Sequence, residues 1–424
     1  MAHIHKPLLG LLLFATTAFG QDAGSSDQET IRLLVQQVKE LQQQVAALQA
    51  KSSGTPASAA PLSQPAEPQP DAAARAAELA EASLIMHEVH GIQWRGFGEV
   101  DYKVLDQRNQ PGLGTFGFVP GSAGNFFTGD FDLFLSSKIN DKASVLSEIV
   151  IGEGDAQTFN VDLERLLLKY EYDDHLKLSF GRYHTAIGYY NTAFHSGRWL
   201  QTTVNRPLIM EFAAEGGILP TQAVGVQAEG LIPSGKLGLQ YILEYGSSDT
   251  VRPDIDGSGE IDDENNGNHI NLGFYFRPDP VPGLQVGGSI YHDKISDIDF
   301  GPTARMSQSI GNAHVVYVAH GVEFLNEGFL IRHALEHSNL VFNNPAFYSQ
   351  FSKRFGRIRP FFRYQYINAN QKGSFEDVGL YYGPSFGARY DFDDNIAFKT
   401  QLDHTARKTR PDLNGLQMQL AFTF

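Results

Sequence analysis

From residue 91 to its last residue, the chain consists of short segments in which apolar and polar residues alternate. The final segment, 415–424, is a clear example, with Gln417 and Gln419 between apolar residues. Its apolar face consists of Leu416, Met418, Leu420, Phe422 and Phe424. A period of two is typical of a β-strand that has one face in an apolar medium and the other in a polar medium. The fold must therefore give many strands access to both media.

Sixteen such segments follow one another, an even number. They cover residues 92–105, 126–139, 143–151, 159–172, 176–183, 222–231, 236–245, 269–276, 284–293, 312–319, 322–335, 346–355, 358–367, 380–392, 396–405 and 415–424. The alternation slips phase near 166–170 and within 322–335, which predicts β-bulges at these two places.

The connections between the segments alternate in length. The long ones cover 106–125, 152–158, 184–221, 246–268, 294–311, 336–345, 368–379 and 406–414. The others are short and turn-like, such as 140–142, 173–175 and 320–321. An up-and-down barrel with short periplasmic turns and long outer loops accounts for this rhythm, whereas a soluble sandwich does not. The sequence predicts an all-β fold, a 16-stranded antiparallel transmembrane β-barrel over residues 91–424.

The N-terminus has the pattern of a secretory signal peptide. His3, His5 and Lys6 precede an apolar run over 8–19, and Ala18-Phe19-Gly20 offers small residues at a cleavage site before Gln21. The run is shorter than the roughly 20 residues of a spanning helix. We therefore expect residues 1–20 to be a signal peptide and the mature protein to be exported.

A heptad pattern follows in residues 21–50. Its apolar positions are Ile31, Leu34, Val38, Leu41, Val45 and Leu48, spaced alternately by three and four residues. This spacing predicts a coiled coil that joins chains in the periplasm, and the alternative is a lone amphipathic helix. Residues 51–70 contain five prolines among Ala and Ser, and 71–84 has a helical pattern. We therefore interpret 51–90 as a linker with a short helix.

Residues 91–424 as a whole resemble the sixteen-stranded outer-membrane porins of Gram-negative bacteria. The segment 180–188, FGRYHTAIG, is similar to a segment of porins related to the phosphate-selective O/P type, with Ala186 where proline is usual. The terminal Phe424 resembles the insertion signal that the barrel-assembly machinery reads. The resemblance implies a homotrimer in the outer membrane, in contact with its lipid and inserted by that machinery.

The longest loop, 184–221, is the third of the predicted outer loops. It carries rigid aromatic and charged residues, which are Tyr189, Tyr190, Phe194, Arg198, Trp199, Arg206, Glu211 and Glu215. The third loop of general porins folds into the lumen, so the resemblance implies that Arg198 and Arg206 lie at a constriction. The alternative is a surface cap over the barrel mouth.

Cations and carboxylates are both expected on the lumen face. The expected lumen cations are Arg182, Arg359, Arg363, Arg389 and Lys399, which alternate with residues such as Phe362, Tyr390 and Phe398. Comparable positions of the first strands hold Glu99, Asp101, Asp130, Asp132, Glu148, Asp162 and Glu164. A ring of cations would favour anions, whereas a charge-balanced lumen would select weakly. The sequence leaves both readings open.

An acidic stretch in the fourth outer loop, 254–265, resembles an EF-hand loop. The candidate calcium ligands are Asp254, Asp256, Ser258, Glu260 and Asp262. The twelfth position is Asn265 instead of a bidentate Glu, and Glu264 comes one residue early, so we expect weak binding. A solvated acidic loop is the alternative. Calcium is the one cofactor that the sequence suggests, and none is required.

These observations favour a porin for the passive diffusion of small hydrophilic solutes or ions, with anions as one class. The net charge of −15 argues against nucleic acid as a partner. The chain has no cysteine, and its histidines are scattered without a G-x-S-x-G motif, so we expect no enzymatic activity. The alternatives are a structural or adhesive barrel anchored by the coiled coil and, less favoured, an outer-membrane hydrolase.

Overall fold

The computed structural model describes residues 87–89, 91–106, 124–153, 159–194, 197–212, 217–248, 268–296, 305–369, 378–408 and 411–424. The predicted signal peptide (1–20), the predicted coiled coil (21–50), most of the linker (51–90) and the acidic loop (254–265) lie outside the described residues. Among the residues described, no helix is both long and apolar enough to cross a membrane.

In the described part of the chain, seventeen antiparallel strands form one sheet. They are β1 (His87–Val89), β2 (Ile92–Leu105), β3 (Asn125–Lys138), β4 (Ala143–Glu153), β5 (Phe159–Asp173), β6 (Leu176–His184), β7 (Gln222–Leu231), β8 (Leu239–Ser248), β9 (His269–Phe276), β10 (Leu284–Ser296), β11 (Arg305–Ala319), β12 (Val322–Leu335), β13 (Val341–Lys353), β14 (Ile358–Asn368), β15 (Leu380–Asp391), β16 (Ile396–Arg407) and β17 (Leu413–Thr423). Helix α1 (Tyr189–Ala193) and the 3-10 helices Arg198–Leu200 and Leu208–Met210 lie between β6 and β7.

The sheet closes on itself between β17 and β2. The two strands pair from Thr423 opposite Phe97 to Gly415 opposite Leu105, and every strand from β2 to β17 pairs with its two neighbours. The result is the predicted barrel of sixteen antiparallel strands. Strand β1 was not predicted from the sequence. It precedes a turn at Gly91 and pairs with the first residues of β2, beyond the end of β17.

The two faces of β17 have the predicted orientation. Gln417, Gln419 and Ala421 are buried on the lumen side, whereas Leu420 and Phe424 are about 40% exposed on the outer side. The outer surface elsewhere carries large exposed apolar side chains, among them Phe324, Phe347, Phe362, Phe386, Phe398 and Leu402. An apolar outer face and a polar inner face suit a barrel surrounded by lipid.

Four strands, β2, β7, β9 and β12, begin and end at the predicted residues. Strand β8 begins at Leu239 instead of 236, because Gly235–Leu237 forms a 3-10 turn and Gly238 is left-handed with φ 56°. Strand β11 begins at Arg305, seven residues before the predicted start at 312. Its first outward residues, Arg305, Ser307 and Ser309, are polar, whereas Met306 and Ile310 face inward, so the expected alternation is reversed there.

The bulge prediction is correct in β5 and wrong in β12. Strand β5 has an extra residue, Glu164, opposite Glu148, which turns both Glu164 and Arg165 toward the lumen. Strand β12 pairs with both neighbours without a register shift. Its phase slip arises because inward-facing residues such as Leu325 and Phe329 are apolar, for a reason that lies inside the barrel.

Candidate functional site

The connection between β6 and β7, 185–221, folds into the barrel instead of covering its mouth; within it, 195–196 and 213–216 lie outside the described residues. Its backbone is bound by side chains from the inner face of the opposite wall. The N–H of Leu208 donates to Gln365 Oε1 at 3.1 Å, and the N–H of Val204 donates to Gln401 Oε1 at 3.0 Å. The predicted inward position of this loop is confirmed, and we call it the inner loop.

The inner loop and one wall of the barrel share a hydrophobic core. The loop contributes Ile187, Tyr189, Tyr190, Leu208, Ile209, Met210, Ile218 and Leu219, and the wall contributes Tyr291, Ile310, Val316, Leu325, Phe329, Ile331, Tyr348 and Ile367. Burial of each large aliphatic side chain is worth about 1.5–3 kcal/mol. A loop with this many buried side chains is a fixed part of the barrel. This core also explains the inward apolar residues of β11 and β12.

Buried carboxylates hold the first part of the inner loop. Glu327 Oε2 and Oε1 accept the backbone N–H groups of Tyr189 and Tyr190 at 2.6 and 2.8 Å, and Glu327 also accepts the Tyr348 hydroxyl at 2.6 Å. Glu244 accepts the N–H of Ala186 at 2.9 Å. These hydrogen bonds to charged groups fix the loop where it leaves β6 and where α1 begins.

The segment 180–188, which carries the resemblance to O/P-type porins, forms the end of β6 and the start of the inner loop. Gly188 precedes α1 with φ 89°, a left-handed conformation that favours glycine. A Cβ atom at Gly188 would lie 2.5 Å from Glu327 Oε2. The glycine at this place is therefore required both by the backbone and by the close approach of the carboxylate.

Three of the predicted lumen cations bind carbonyl oxygens of the inner loop. Lys399 Nζ donates to the carbonyl of Thr203 at 3.1 Å and to Gln419 Oε1 at 2.8 Å. Arg389 Nη1 donates to the carbonyl of Gln201 at 3.0 Å. Arg363 and Lys399 are fully buried, and Arg389 is 8% exposed. These side chains are inward, as the alternation predicts, but they satisfy buried carbonyls and do not face open water.

Arg363 and Arg359 bind the same part of the loop. Arg363 Nη1 donates to the carbonyl of Asn205 at 3.0 Å. Arg359 Nη1 donates to Thr202 Oγ1 at 3.2 Å and lies 3.8 Å from Glu323 Oε2. The four cations Arg359, Arg363, Arg389 and Lys399 therefore form an anchor for residues 198–205, and we call them the anchor cations.

The two loop arginines differ in environment. Arg206 is fully buried between the rings of Tyr190 and Phe212, and its Nε donates to the Met210 carbonyl at 2.7 Å, within the loop itself. Burial raises the pKa of Tyr190 to about 12, so its hydroxyl stays protonated. Arg198 is half-buried in the 3-10 helix beside Trp199.

Arg182 lies apart from the anchor cations. The residues opposite it in the neighbouring strands are Leu166 and Val224, whose side chains are exposed on the outside of the barrel. Its guanidinium donates to the side-chain oxygen of Gln222 and lies 3.8 Å from Asp162 Oδ1. Arg182 therefore occupies an outward position of β6 near the root of the inner loop, and the prediction that it faces the lumen is wrong.

The carboxylates of the first strands lie next to the anchor cations along the wall, beyond β17. Glu99, Asp101, Asp132, Glu148 and Glu164 are all buried on β2–β5. Glu148 Oε2 accepts Arg165 Nε at 2.6 Å, and His184 Nε2 lies 3.3 Å from Glu164 Oε2. The acidic and basic residues that the sequence indicated thus lie on adjoining parts of the wall. Lys399 of β16 is opposite Gln419 of β17, which in turn is opposite Asp101 of β2.

Open space remains along the wall that the hydrophobic core does not cover. A cavity of about 760 Å³ adjoins the short turns, and a narrower one of about 100 Å³ lies beside the start of the inner loop. Lys169, Glu229, Tyr275 and Arg277 line both. The larger cavity is also lined by Lys138, Ser136, Glu171, Asp174, Lys177 and Gln240. This wall is polar and carries both signs of charge.

Several of the described histidines form hydrogen bonds within the sheet. His269 Nε2 contacts the Tyr183 hydroxyl at 3.2 Å, and His333 Nε2 contacts Gln308 Oε1 at 2.7 Å. The serine that contacts a histidine, Ser309, meets His292 on the outer face. Within the described ranges, no group of three or more histidines and carboxylates is arranged to hold a metal ion.

Five residues that position the inner loop were not predicted from the sequence, and they are Glu244, Glu323, Glu327, Gln365 and Gln401. Each occupies an inward position of an alternating strand, so its orientation could be read from the sequence. Its partner could not, because each contacts the inner loop far away in the chain, up to 197 residues for Gln401 and Val204.

No protein-family profile matches the chain, and no curated protein matches it either. Solved structures do. An anion-selective porin from Comamonas acidovorans superposes with a TM-score of 0.55 at 9% identity, over 78% of this chain and 99% of that one. Salmonella typhi OmpF in complex with daunomycin gives 0.51 at 13% identity, over 80% and 100%. OprB of Pseudomonas putida gives 0.51 at 12% identity, over 84% and 97%. The chain therefore shares the fold of these outer-membrane barrels.

Proposed function

We propose that this chain is a porin of the Gram-negative outer membrane and that it carries small hydrophilic solutes or ions by passive diffusion. The observation that supports this function best is the inner loop, held inside a closed barrel beside a polar cavity of about 760 Å³. A wall of charged and polar side chains around water suits the passage of hydrophilic solutes. The inner loop is the constriction.

The pathway runs along β3–β10, because the hydrophobic core fills the lumen beside β10–β14. Its narrowest part is the cavity next to Tyr183, Tyr189 and Arg277. The fixed core restricts passage to small solutes and gives the channel a low conductance for a barrel of sixteen strands.

We propose weak charge selectivity. The anchor cations bind loop carbonyls, so they do not form an open ring that would attract anions. The lining of the larger cavity includes the cations Lys138, Lys169, Lys177 and Arg277 together with the carboxylates Glu171, Asp174 and Glu229. The similar porin from Comamonas acidovorans is anion-selective. For the present chain we propose neither a strong anion preference nor phosphate specificity.

Conductance in a planar bilayer tests the function. We expect the purified full-length protein to give discrete ohmic steps and a small reversal potential across a KCl gradient. A large reversal potential of either sign would contradict weak selectivity while leaving the channel in place. Complete absence of steps from folded, inserted protein would contradict the channel itself.

A structural or adhesive barrel is the second candidate, and the extent of the hydrophobic core favours it. If the inner loop closed the lumen completely, the barrel would serve as an anchor for the N-terminal segment. Folded protein that inserts without conductance would support this candidate. We favour the porin because the polar cavity continues past the start of the inner loop.

The remaining partners are proposals drawn from the sequence and the resemblance. A homotrimer is consistent with the trimer form known for the outer membrane protein OmpT of Vibrio cholerae, which is similar in fold. The heptads of residues 21–50 would join the chains in the periplasm, and β17 would present Phe424 to the barrel-assembly machinery. The loop 254–265 would bind calcium weakly. No enzymatic activity is part of the proposal.

A further inference from the structure

The outer face of β10–β12 carries charges near the end of the barrel that bears the long loops. The outward residues of the neighbouring β9, such as Ile270, Leu272 and Phe274, are apolar and exposed. On β10, β11 and β12, in contrast, the outward side chains at this end include Lys294, Arg305 and Arg332, all exposed. We call these three residues the basic patch.

The strand register brings the basic patch together around two serines. Ser307 of β11 lies directly opposite Lys294 of β10, and Ser309 lies directly opposite Arg332 of β12. Arg305 is two residues beyond Ser307 and therefore on the same face of β11. Lys294 and Arg332 thus flank β11 on its two sides, and the short serine side chains leave a shallow floor between longer cationic ones.

The patch has an excess of positive charge. Glu336 Oε1 lies 2.8 Å from Lys294 Nζ, and this carboxylate also interacts with Arg305. Among the described residues at this place, three cations and one carboxylate give a net charge of +2, within a chain whose net charge is −15. His292 also lies beside the patch, with its Nδ1 3.1 Å from Ser309 Oγ. A local surplus of this kind is complementary to an anion.

The depth of the patch identifies the kind of anion. Lys294 and Arg332 lie within the last four residues of their strands, and Arg305 is the first residue of β11. Exposed cations on the lipid-facing side of a barrel cost little stability near the interface and much more at the midplane. At this level they meet lipid headgroups, and clustered Lys and Arg residues attract anionic headgroups.

We propose that Lys294, Arg305 and Arg332 bind the phosphorylated headgroup of a lipid in the outer leaflet. The two arginines bind phosphate oxygens through their guanidinium groups. Ser307 and Ser309 provide hydroxyls on the floor of the site. The occupant is a membrane lipid, because the site opens sideways toward the bilayer and not toward the lumen. The inference does not depend on whether the barrel conducts ions.

Native mass spectrometry of the full-length protein tests the proposal. The protein is released from nanodiscs that contain phosphatidylcholine with either diphosphoryl, monophosphoryl or dephosphorylated lipid A. We expect the wild type to retain diphosphoryl lipid A most and the dephosphorylated form least. We expect Arg305→Gln/Arg332→Gln to retain about thirtyfold less of the diphosphoryl form, given the usual contribution of each cation near a membrane surface.

The matched control is Arg354→Gln/Arg357→Gln, which removes two exposed arginines from the turn at the opposite end of the barrel. It should retain the diphosphoryl lipid as the wild type does. Equal retention by the patch variant and the wild type would overturn the proposal, and so would an equal loss in the control. If the patch variant fails to fold, the test rests on the wild type. Equal retention of the three lipid A forms by the wild type would contradict a site for phosphorylated headgroups.

Discussion

The Glu327 carboxylate on β12 accepts the backbone N–H of Tyr189 at 2.6 Å, across the lumen from the strand where the inner loop begins. The contact joins the first residue of α1 to the far wall of the barrel. It places a negative charge at the start of a helix, where unpaired N–H groups favour it. The position of the inner loop therefore depends on a residue 138 positions later in the chain.

The first prediction concerns this contact. In Glu327→Gln the amide loses the charge, and its NH₂ group cannot accept from a backbone N–H. We expect the barrel to lose about 2–3 kcal/mol of stability and the channel to show a larger and noisier conductance. Glu336→Gln, which changes a half-buried carboxylate paired with Lys294 on the outside, should leave single-channel recordings unchanged. Identical recordings from Glu327→Gln and the wild type would show that the contact does not hold the constriction.

The second prediction separates anchoring from ion selection. Lys399→Met should lower the unfolding temperature, because it leaves loop carbonyls without their buried donor, and should barely change the reversal potential. Lys169→Met removes a cation that lines both cavities, so it should shift the reversal potential toward cation preference at little cost in stability. An equal shift in the two variants would mean that Lys399 faces the ion pathway.

The third prediction tests the glycine at the start of α1. Gly188→Ala should destabilise the barrel by about 1–3 kcal/mol, because the backbone is left-handed and the new Cβ atom meets Glu327. Gly235→Ala is the matched control, since Gly235 also has a positive φ but has open space around its Cβ position. Thermal unfolding followed by electrophoretic mobility should show the larger loss for Gly188→Ala.

The fourth prediction concerns the barrel seam. Phe424 exchanges two backbone hydrogen bonds with Gly96, at 2.9 and 3.0 Å, and its ring contacts Trp94 and Phe131. Deletion of Phe424 should strongly reduce the amount of protein in the membrane and leave the conductance of the inserted fraction unchanged. Phe392→Ala, which removes an exposed ring at the same end of the barrel, should insert normally. Normal membrane levels of the deletion would contradict the role of Phe424 in closure.

The fifth prediction concerns the acidic loop. Isothermal calorimetry should give weak calcium binding to the wild type and a clear loss in Asp254→Ala, which removes the first carboxylate of the EF-hand-like pattern. Ser258→Ala, which removes a neutral ligand, should weaken binding less. Identical calcium heats for Asp254→Ala and the wild type would leave a solvated acidic loop as the interpretation.

The barrel could be predicted from the sequence because the alternation of apolar and polar residues in each strand reflects the two media on its two faces. Lipid on one side and polar groups on the other give the alternation of β17 and β2, and these strands lie where they were expected. The wrong predictions for β11 and β12 concern strands whose inward-facing residues are apolar. Met306 and Ile310 of β11 face inward, so the strand appeared to start late, and the apolar inward face of β12 suggested a bulge that does not exist.

The contacts of the inner loop could be predicted only in part, because they depend on residues distant in the chain. The length and composition of the loop indicated its inward position, and alternation indicated that Arg363 and Lys399 point into the barrel. Whether an inward cation faces water or binds a carbonyl depends on what else enters the lumen. The answer depends on contacts such as that of Lys399 with Thr203, which are 196 residues apart. A local sequence pattern does not predict such contacts.

The closed seam also determines when the barrel can form during folding. Arg95 Nε donates to Thr423 Oγ1 across β2 and β17, and 328 residues of sequence separate the two. Joining such distant segments has a high entropic cost, so pairs of this kind form late, after local hairpins are in place. An incomplete barrel would expose the edges of β2 and β17 to other chains, which is a hazard for aggregation. The protein therefore depends on its final strand for the last step of assembly and needs protection until that strand has paired.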